Sequence, residues 1–198
     1  MIITADILKA IAPGSKKTNY ALLLGIAEYM NLWFPDFNID TKGELCHFIS
    51  QAAHETDSFN TLEEYASGKA YEGRHDLGND SQGDGVKYKG RGIFQITGRV
   101  NYKQLEVISG KYFKTAVKFT VNPRLLLEPN YAVWSAGIYW DDRDFNTIAN
   151  MPDDAKIWAK KLNKNLSPIE YISWRVNGGF NGLASRIMFY ERCKSIIL

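Results

Sequence analysis

The segment TKGELCHFISQAAHETDSFNTLEEY, Thr41–Tyr65, decides how the whole chain is read. Thr41 followed by Glu44 forms a capping box, in which a hydroxyl and a carboxylate satisfy free N–H groups of a first helical turn. Leu45, Phe48, Ile49 and Ala52 then recur on one face of a helix, and Glu55 falls near its C-terminal end. The rest of the segment is polar and hairpin-like, and it places Glu64 nine positions after Glu55. Two carboxylates so arranged are either solvated acids around a helix end or an acid and a base serving one substrate. Spacing alone leaves both readings open.

Working outward, helical spacing recurs in NYALLLGIAEYMNLW, with Leu22, Ile26, Tyr29 and Met30 as its apolar positions. NYKQLEVISG reads as a helix that stops at Gly110. NYAVWSAGIYWDD reads as a buried helix, and GLASRIMFYERCKSIIL as a final one. PDDAKIWAKKLN, with Pro152 ahead of two acids, has the opening of a further helix. Between them lies a loop-rich region containing Gly68, Gly73, Gly78, Gly83, Gly85, Gly90 and Gly92, with one short β-prone run, Ile93–Thr97. Strand and helix do not alternate, so a doubly wound α/β sheet is not expected. The chain of 198 residues, 45% apolar and 13% aromatic, suits one domain across 1–198, with residues 1–40 as a candidate small helical lobe.

The charge balance excludes several functions. A formal charge of +2 gives no electrostatic case for nucleic acid. No apolar run is long enough for a membrane span, and the N-terminus lacks the pattern of a signal peptide. The expectation is therefore synthesis in the cytoplasm, with no stable membrane association. Cys46 and Cys193 sit among apolar neighbours and read as buried thiols rather than a disulfide. A Walker loop and a G-x-S-x-G elbow are absent. His47, His54 and His75 lack the H-E-x-x-H spacing of a zinc protease, and neither metal nor cofactor is expected. Paired carboxylates remain as candidate chemistry, because glycoside hydrolysis needs one acid to protonate the leaving oxygen and one carboxylate to activate water or attack carbon.

Taken together, QAAHETDSFNTLEEYASGKAYEGRHDLGN, GDGVKYKGRGIFQITGRVNY, and NGG ahead of SRIMFYERC resemble glycoside hydrolase family 19, over roughly residues 40–193. That family includes plant-type chitinases and many phage endolysins, and the motifs look most like its compact endolysin-type branch. The resemblance implies a mainly α, lysozyme-like, two-lobed α+β fold with long loops and a central substrate groove. It implies Glu55 as general acid and Glu64 as general base, with Glu72 ranked next and Glu63 last. It matches Gln95, Thr97, Asn101 and Asn177 to positions that hold water or sugar, and Arg186 to an arginine beside the base carboxylate. His54 reads as a structural hydrogen-bonding partner. An acid that must start protonated calls for apolar surroundings, for which Phe48, Ala52 and Phe59 are the nearest candidates. An inverting pair implies carboxyls about 6.5–9.5 Å apart.

The substrate implied is bacterial cell-wall peptidoglycan, cleaved at β-1,4 bonds between N-acetylmuramic acid and N-acetylglucosamine. Chitin is the alternative, and a non-catalytic glycan-binding module the second. A monomer is expected, acting on the wall after release through a pore made by a separate protein. The chain departs from the plant members in having two cysteines instead of several disulfides, and in placing Phe180 and Asn181 where they carry an acid after NGG.

Overall fold

A computed structural model of the chain describes residues 2–16 and 19–197. Among these, the elements in order are α1 (Ala5–Ile11), α2 (Tyr20–Trp33), α3 (Lys42–Glu55), α4 (Asp84–Lys87), α5 (Arg99–Ser109), α6 (Pro129–Asp141), α7 (Phe145–Ala149), β1 (Ile157–Ala159), β2 (Lys164–Leu166), α8 (Pro168–Asn177) and α9 (Leu183–Ile196). The fold is mainly helical, as expected, and its only named strands among the described residues form one short antiparallel hairpin, with Trp158 opposite Asn165. The chain divides into two compact units, Met1–Asn60 with Gly137–Leu198, and Thr61–Ala136.

The first unit is built on α3. The capping box is formed: Thr41 Oγ1 accepts from the Glu44 N–H, and the Glu44 carboxylate accepts from the backbone of Asp40 and Thr41 at 2.9 and 2.8 Å. Its other oxygen takes a 2.7 Å hydrogen bond from Asn150, so this buried carboxylate is fully satisfied. The stripe read from the sequence is a minimum, because every residue from Glu44 to Ala53 is buried. Phe48 packs against Phe34 at 4.9 Å and Trp140 at 5.2 Å between ring centroids. Burying such a ring contributes about 1.5–3 kcal/mol. Helix α9 is the main partner of α3, and α8 and α7 pack on it too. Helix α1 packs on α2 and on α9.

The second unit is loop-rich, with α4, α5 and the first part of α6. Its core includes Tyr88 and Tyr102, with rings 5.3 Å apart, and Trp134 against Phe119. Asp84, 2% exposed, is held by the guanidinium of Arg99, which keeps its carboxyl below the usual carboxylate range.

Two local expectations are corrected. Ile93–Thr97 is not a strand but a tight loop, closed by hydrogen bonds in both directions between Arg91 and Ile96 at 3.2 and 2.8 Å. Gly92 and Gln95 have left-handed backbones, and Ile93 and Phe94 are core residues, so the β-prone composition reflects burial. The segment after Pro152 is not a helix either. The Asp153 carboxylate, instead of capping a first turn, accepts from Tyr190 and Lys194 of α9 at 2.6 and 2.5 Å. The chain turns once and enters β1.

Candidate active site

Glu55 is the last residue of α3. Its carboxylate pairs with Arg186 of α9, whose guanidinium is fully buried and also donates to Gln51 Oε1. Gln51 lies one turn before Glu55, and spacing of four places the two side chains on one face. The Gln51 amide donates in turn to Ser173 Oγ of α8 at 3.1 Å. Three helices thus fix one oxygen of Glu55, while the other has no hydrogen-bonded partner among the described residues and 19% of the side chain stays exposed.

The neighbouring contacts are equally specific. His54 Nδ1 lies 2.6 Å from Ser185 Oγ, and burial holds this imidazole below its ordinary pKa. Its ring packs so closely on Gly182, itself at φ +74°, that a β-carbon there would sit 2.0 Å from His54 Cε1. Tyr139 senses the charge of Glu55, and burial raises its pKa; its hydroxyl reaches the carbonyls of Arg175 and Val176 at the end of α8. Beyond Glu55 the chain makes an unusual turn. Asp57, Ser58 and Phe59 all have positive φ, a conformation costly for L-residues, and Asn60 ties the turn down by donating to Asp57 and Gly14 carbonyls.

The second unit holds the three glutamates ranked from the sequence as candidate bases, Glu63, Glu64 and Glu72. Glu63 lies 2.9 Å from Arg91 and within 4 Å of Lys89 and Arg124. Glu72 accepts from the backbone N–H groups of Gly83 and Gly85. Both are committed to holding loops together. Glu64 differs: Tyr71 donates to its Oε2 at 2.9 Å, and its Oε1 is buried with no donor among the described residues. Burial and this bond together raise the Tyr71 pKa. Gln95 Oε1 is a second such buried acceptor, and both glutamate and glutamine close on Gly90, where a β-carbon would meet Gln95 Oε1 at 2.8 Å and Glu64 Oε2 at 3.2 Å. Local hydrogen bonds continue from Gln95 to Thr97 and Asn101: Thr97 donates to the Gln95 carbonyl, and Asn101 to that of Thr97, at 2.8 and 2.7 Å.

Similarity to known proteins points the same way. No family model matches the chain. A curated protein of Haemophilus influenzae, described as a glycosyl hydrolase family 19 domain-containing protein, is 29% identical over 128 residues, which is 65% of this chain and 52% of that protein. The chain therefore spans about half the length of this relative. Among solved structures, chitinase C of Streptomyces griseus superposes with a TM-score of 0.58 at 17% identity, covering 98% of this chain and 76% of that one. A bacterial family 19 chitinase gives 0.61 at 18% identity, covering 99% and 95%. The chain resembles glycoside hydrolase family 19.

Against the family 19 pattern, the second unit brings Glu64, Gln95, Thr97 and Asn101 into one neighbourhood, and the first holds Glu55, Arg186 and Asn177. One expectation is corrected. Arg186, expected to interact with the base carboxylate, is the partner of Glu55. Phe48, Ala52 and Phe59, the candidates for apolar surroundings of Glu55, are fully buried. Asn177 is exposed at the last position of α8, and its side-chain amide has no hydrogen-bonded partner among the described residues. Sequence reasoning missed Gln51, which its spacing from Glu55 gave away, and Tyr71, for which no pattern existed. It also missed α8, although Ser167 and Glu170 form a second capping box behind Pro168. No cluster of three or more His, Cys, Asp or Glu among the described residues is arranged to hold a metal ion.

Proposed function

We propose that this chain is a glycoside hydrolase acting on a β-1,4 glycan of N-acetylated sugars, with peptidoglycan as substrate and cleavage between N-acetylmuramic acid and N-acetylglucosamine. One observation supports this most: of the three candidate glutamates Glu63, Glu64 and Glu72, Glu64 alone has an oxygen that is buried and unpartnered among the described residues, and Gln95, which closes on the same Gly90, has another. A buried acceptor without a donor suits a small polar molecule with a hydrogen to donate, and water is the nucleophile of an inverting hydrolysis. In the proposed reaction Glu55 gives its proton to the departing glycosidic oxygen through the oxygen that Arg186 leaves unengaged. Glu64 takes a proton from the attacking water, oriented with the help of Gln95, and Asn177 contributes an amide to the sugar. The hydrolysis balances: the glycosidic C–O bond breaks, the water oxygen joins the anomeric carbon, and the two carboxyls exchange protonation states.

The motifs favour the endolysin-type branch and hence the bacterial wall. The names of the solved chitinases that share the fold favour a second reading, chitin. Digestion of purified sacculi and colloidal chitin in parallel, with mass spectrometry after borohydride reduction, tests both. Reduced muramic-acid ends support the first reading. Chitin oligomers with intact sacculi turn the assignment to a chitinase, and glycan binding without new reducing ends would leave a non-catalytic module.

A further inference from the structure

Strand β1, the turn that follows it and one side of α8 border a cleft of about 570 Å³, within the range of small-molecule sites. Trp158, Tyr171 and Trp174 supply aromatic surfaces, and Lys160, Lys161 and Arg175 supply cations, while no carboxylate lines it. Trp158 is 56% exposed and sits between Ala159, which is buried, and Ile157, which is half-buried, so strand alternation turns its indole outward. Tyr171 and Trp174 meet edge to face at 5.7 Å, and Arg175 donates to the Tyr171 hydroxyl at 3.1 Å. Gly178 closes one side, immediately after Asn177. Near the end of α8, the carbonyl of Arg175, one of the lining residues, is met by the Tyr139 hydroxyl.

Aromatic faces recognise the apolar faces of sugar rings, whereas neutral sugars give no use to three cations without a counter-charge. We infer that this cleft is a subsite for a carboxylate-bearing sugar, namely the muramyl-peptide portion of wall glycan, with Trp158 as its platform and Lys160, Lys161 and Arg175 reading the lactyl-peptide carboxylates. This deepens the peptidoglycan reading and rests on it. It gives the chain a means of telling wall glycan from chitin, since chitin shares the linkage but lacks the negative charge.

The test is calorimetric binding of two soluble probes, a GlcNAc–MurNAc–peptide and a chitin oligosaccharide of equal sugar length. It uses the wild-type chain, Trp158→Ala, and the double variant Lys160→Glu/Lys161→Glu, each checked by thermal melting. Reversing two exposed charges is expected to weaken the carboxylated probe about tenfold or more, with a loss on adding salt, and to leave the neutral probe unchanged. Trp158→Ala is expected to weaken the carboxylated probe as well. Unchanged affinity of the carboxylated probe in the charge-reversed chain, or equal weakening of both probes, overturns the inference. Hydrolysis of sacculi, measured separately, decides the peptidoglycan reading: an inert wild-type chain sinks that reading, and probe binding still decides the subsite.

Discussion

Glu63, Glu64 and Glu72 are the same residue type within one loop-rich stretch, yet their surroundings give them different work. Glu63 neutralises Arg91, Glu72 gathers two backbone amides, and Glu64 keeps an oxygen in reserve. Substitution by glutamine is expected to separate them. Glu55→Gln and Glu64→Gln should each lower turnover by about 10²–10⁴-fold, Glu64→Gln with little change in melting temperature and Glu55→Gln with some loss of stability, because Glu55 is the carboxylate partner of the buried Arg186. Glu63→Gln should lower stability first, because it removes the negative charge facing the buried Arg91 guanidinium. The pH profile of kcat/KM assigns roles: removing the proposed acid, Glu55, should erase the alkaline limb, and removing the proposed base, Glu64, the acid limb. The opposite pattern would exchange the two roles. Arg186→Met is expected to cost stability at the low end of about 3–5 kcal/mol, since it leaves Gln51 and Glu55 without their shared donor, and chemical denaturation measures it. Rescue by Arg186→Lys should be partial, because an ammonium lacks the planar fork that reaches both partners.

At the scale of elements, α3 was legible because its signals agree. The capping box, the apolar stripe and the acid at its end all follow from helical spacing, and α2, α5, α6 and α9 were read on the same grounds. The elements that failed were those whose residues answer to distant partners. Asp153 would cap a helix if left alone, but α9 offers it a phenol and an ammonium. Ile93 and Phe94 look like strand residues, but a loop turns them into the core. The packing of α3 on α9 also predicts a pH response. His47 is fully buried, stacks 4.3 Å from Tyr190, and has no hydrogen bond to either ring nitrogen among the described residues. Burial holds its pKa down at about 4, with Asp153 opposing and Lys194 assisting. The folded chain therefore refuses a proton that the unfolded chain accepts below about 6.5. This contribution to stability is complete above that pH and declines as pH falls toward 4, by about 3 kcal/mol in all. Denaturant titrations between pH 7 and 4 should show the decline, and His47→Phe should flatten it. The Asp84–Arg99 pair acts lower, because a depressed carboxyl keeps its charge until the pH falls through its folded value.

For the molecule as a whole, the proposed single displacement has a stereochemical signature. Proton NMR of fresh digests should show the product with the anomeric configuration opposite to that of the β-linked substrate, and retention would indicate a covalent intermediate and remove the inverting scheme. The sequence by itself determined the helical class, the absence of an alternating sheet, the helix that carries Glu55, and, through motif resemblance, the small group of residues around which a sugar-cleaving site is proposed. These are properties of spacing and of residue type, which a linear chain displays directly. Tertiary structure alone decided which glutamate keeps an unpartnered oxygen, which carboxylate Arg186 serves, and that an aromatic and cationic cleft stands at the end of α8. Hydrogen-bond partners and burial depend on residues far apart in sequence, and Glu55 and Arg186 are separated by 131 positions. No local pattern encodes such a pairing, since only folding brings the donors of one helix to the acceptors of another.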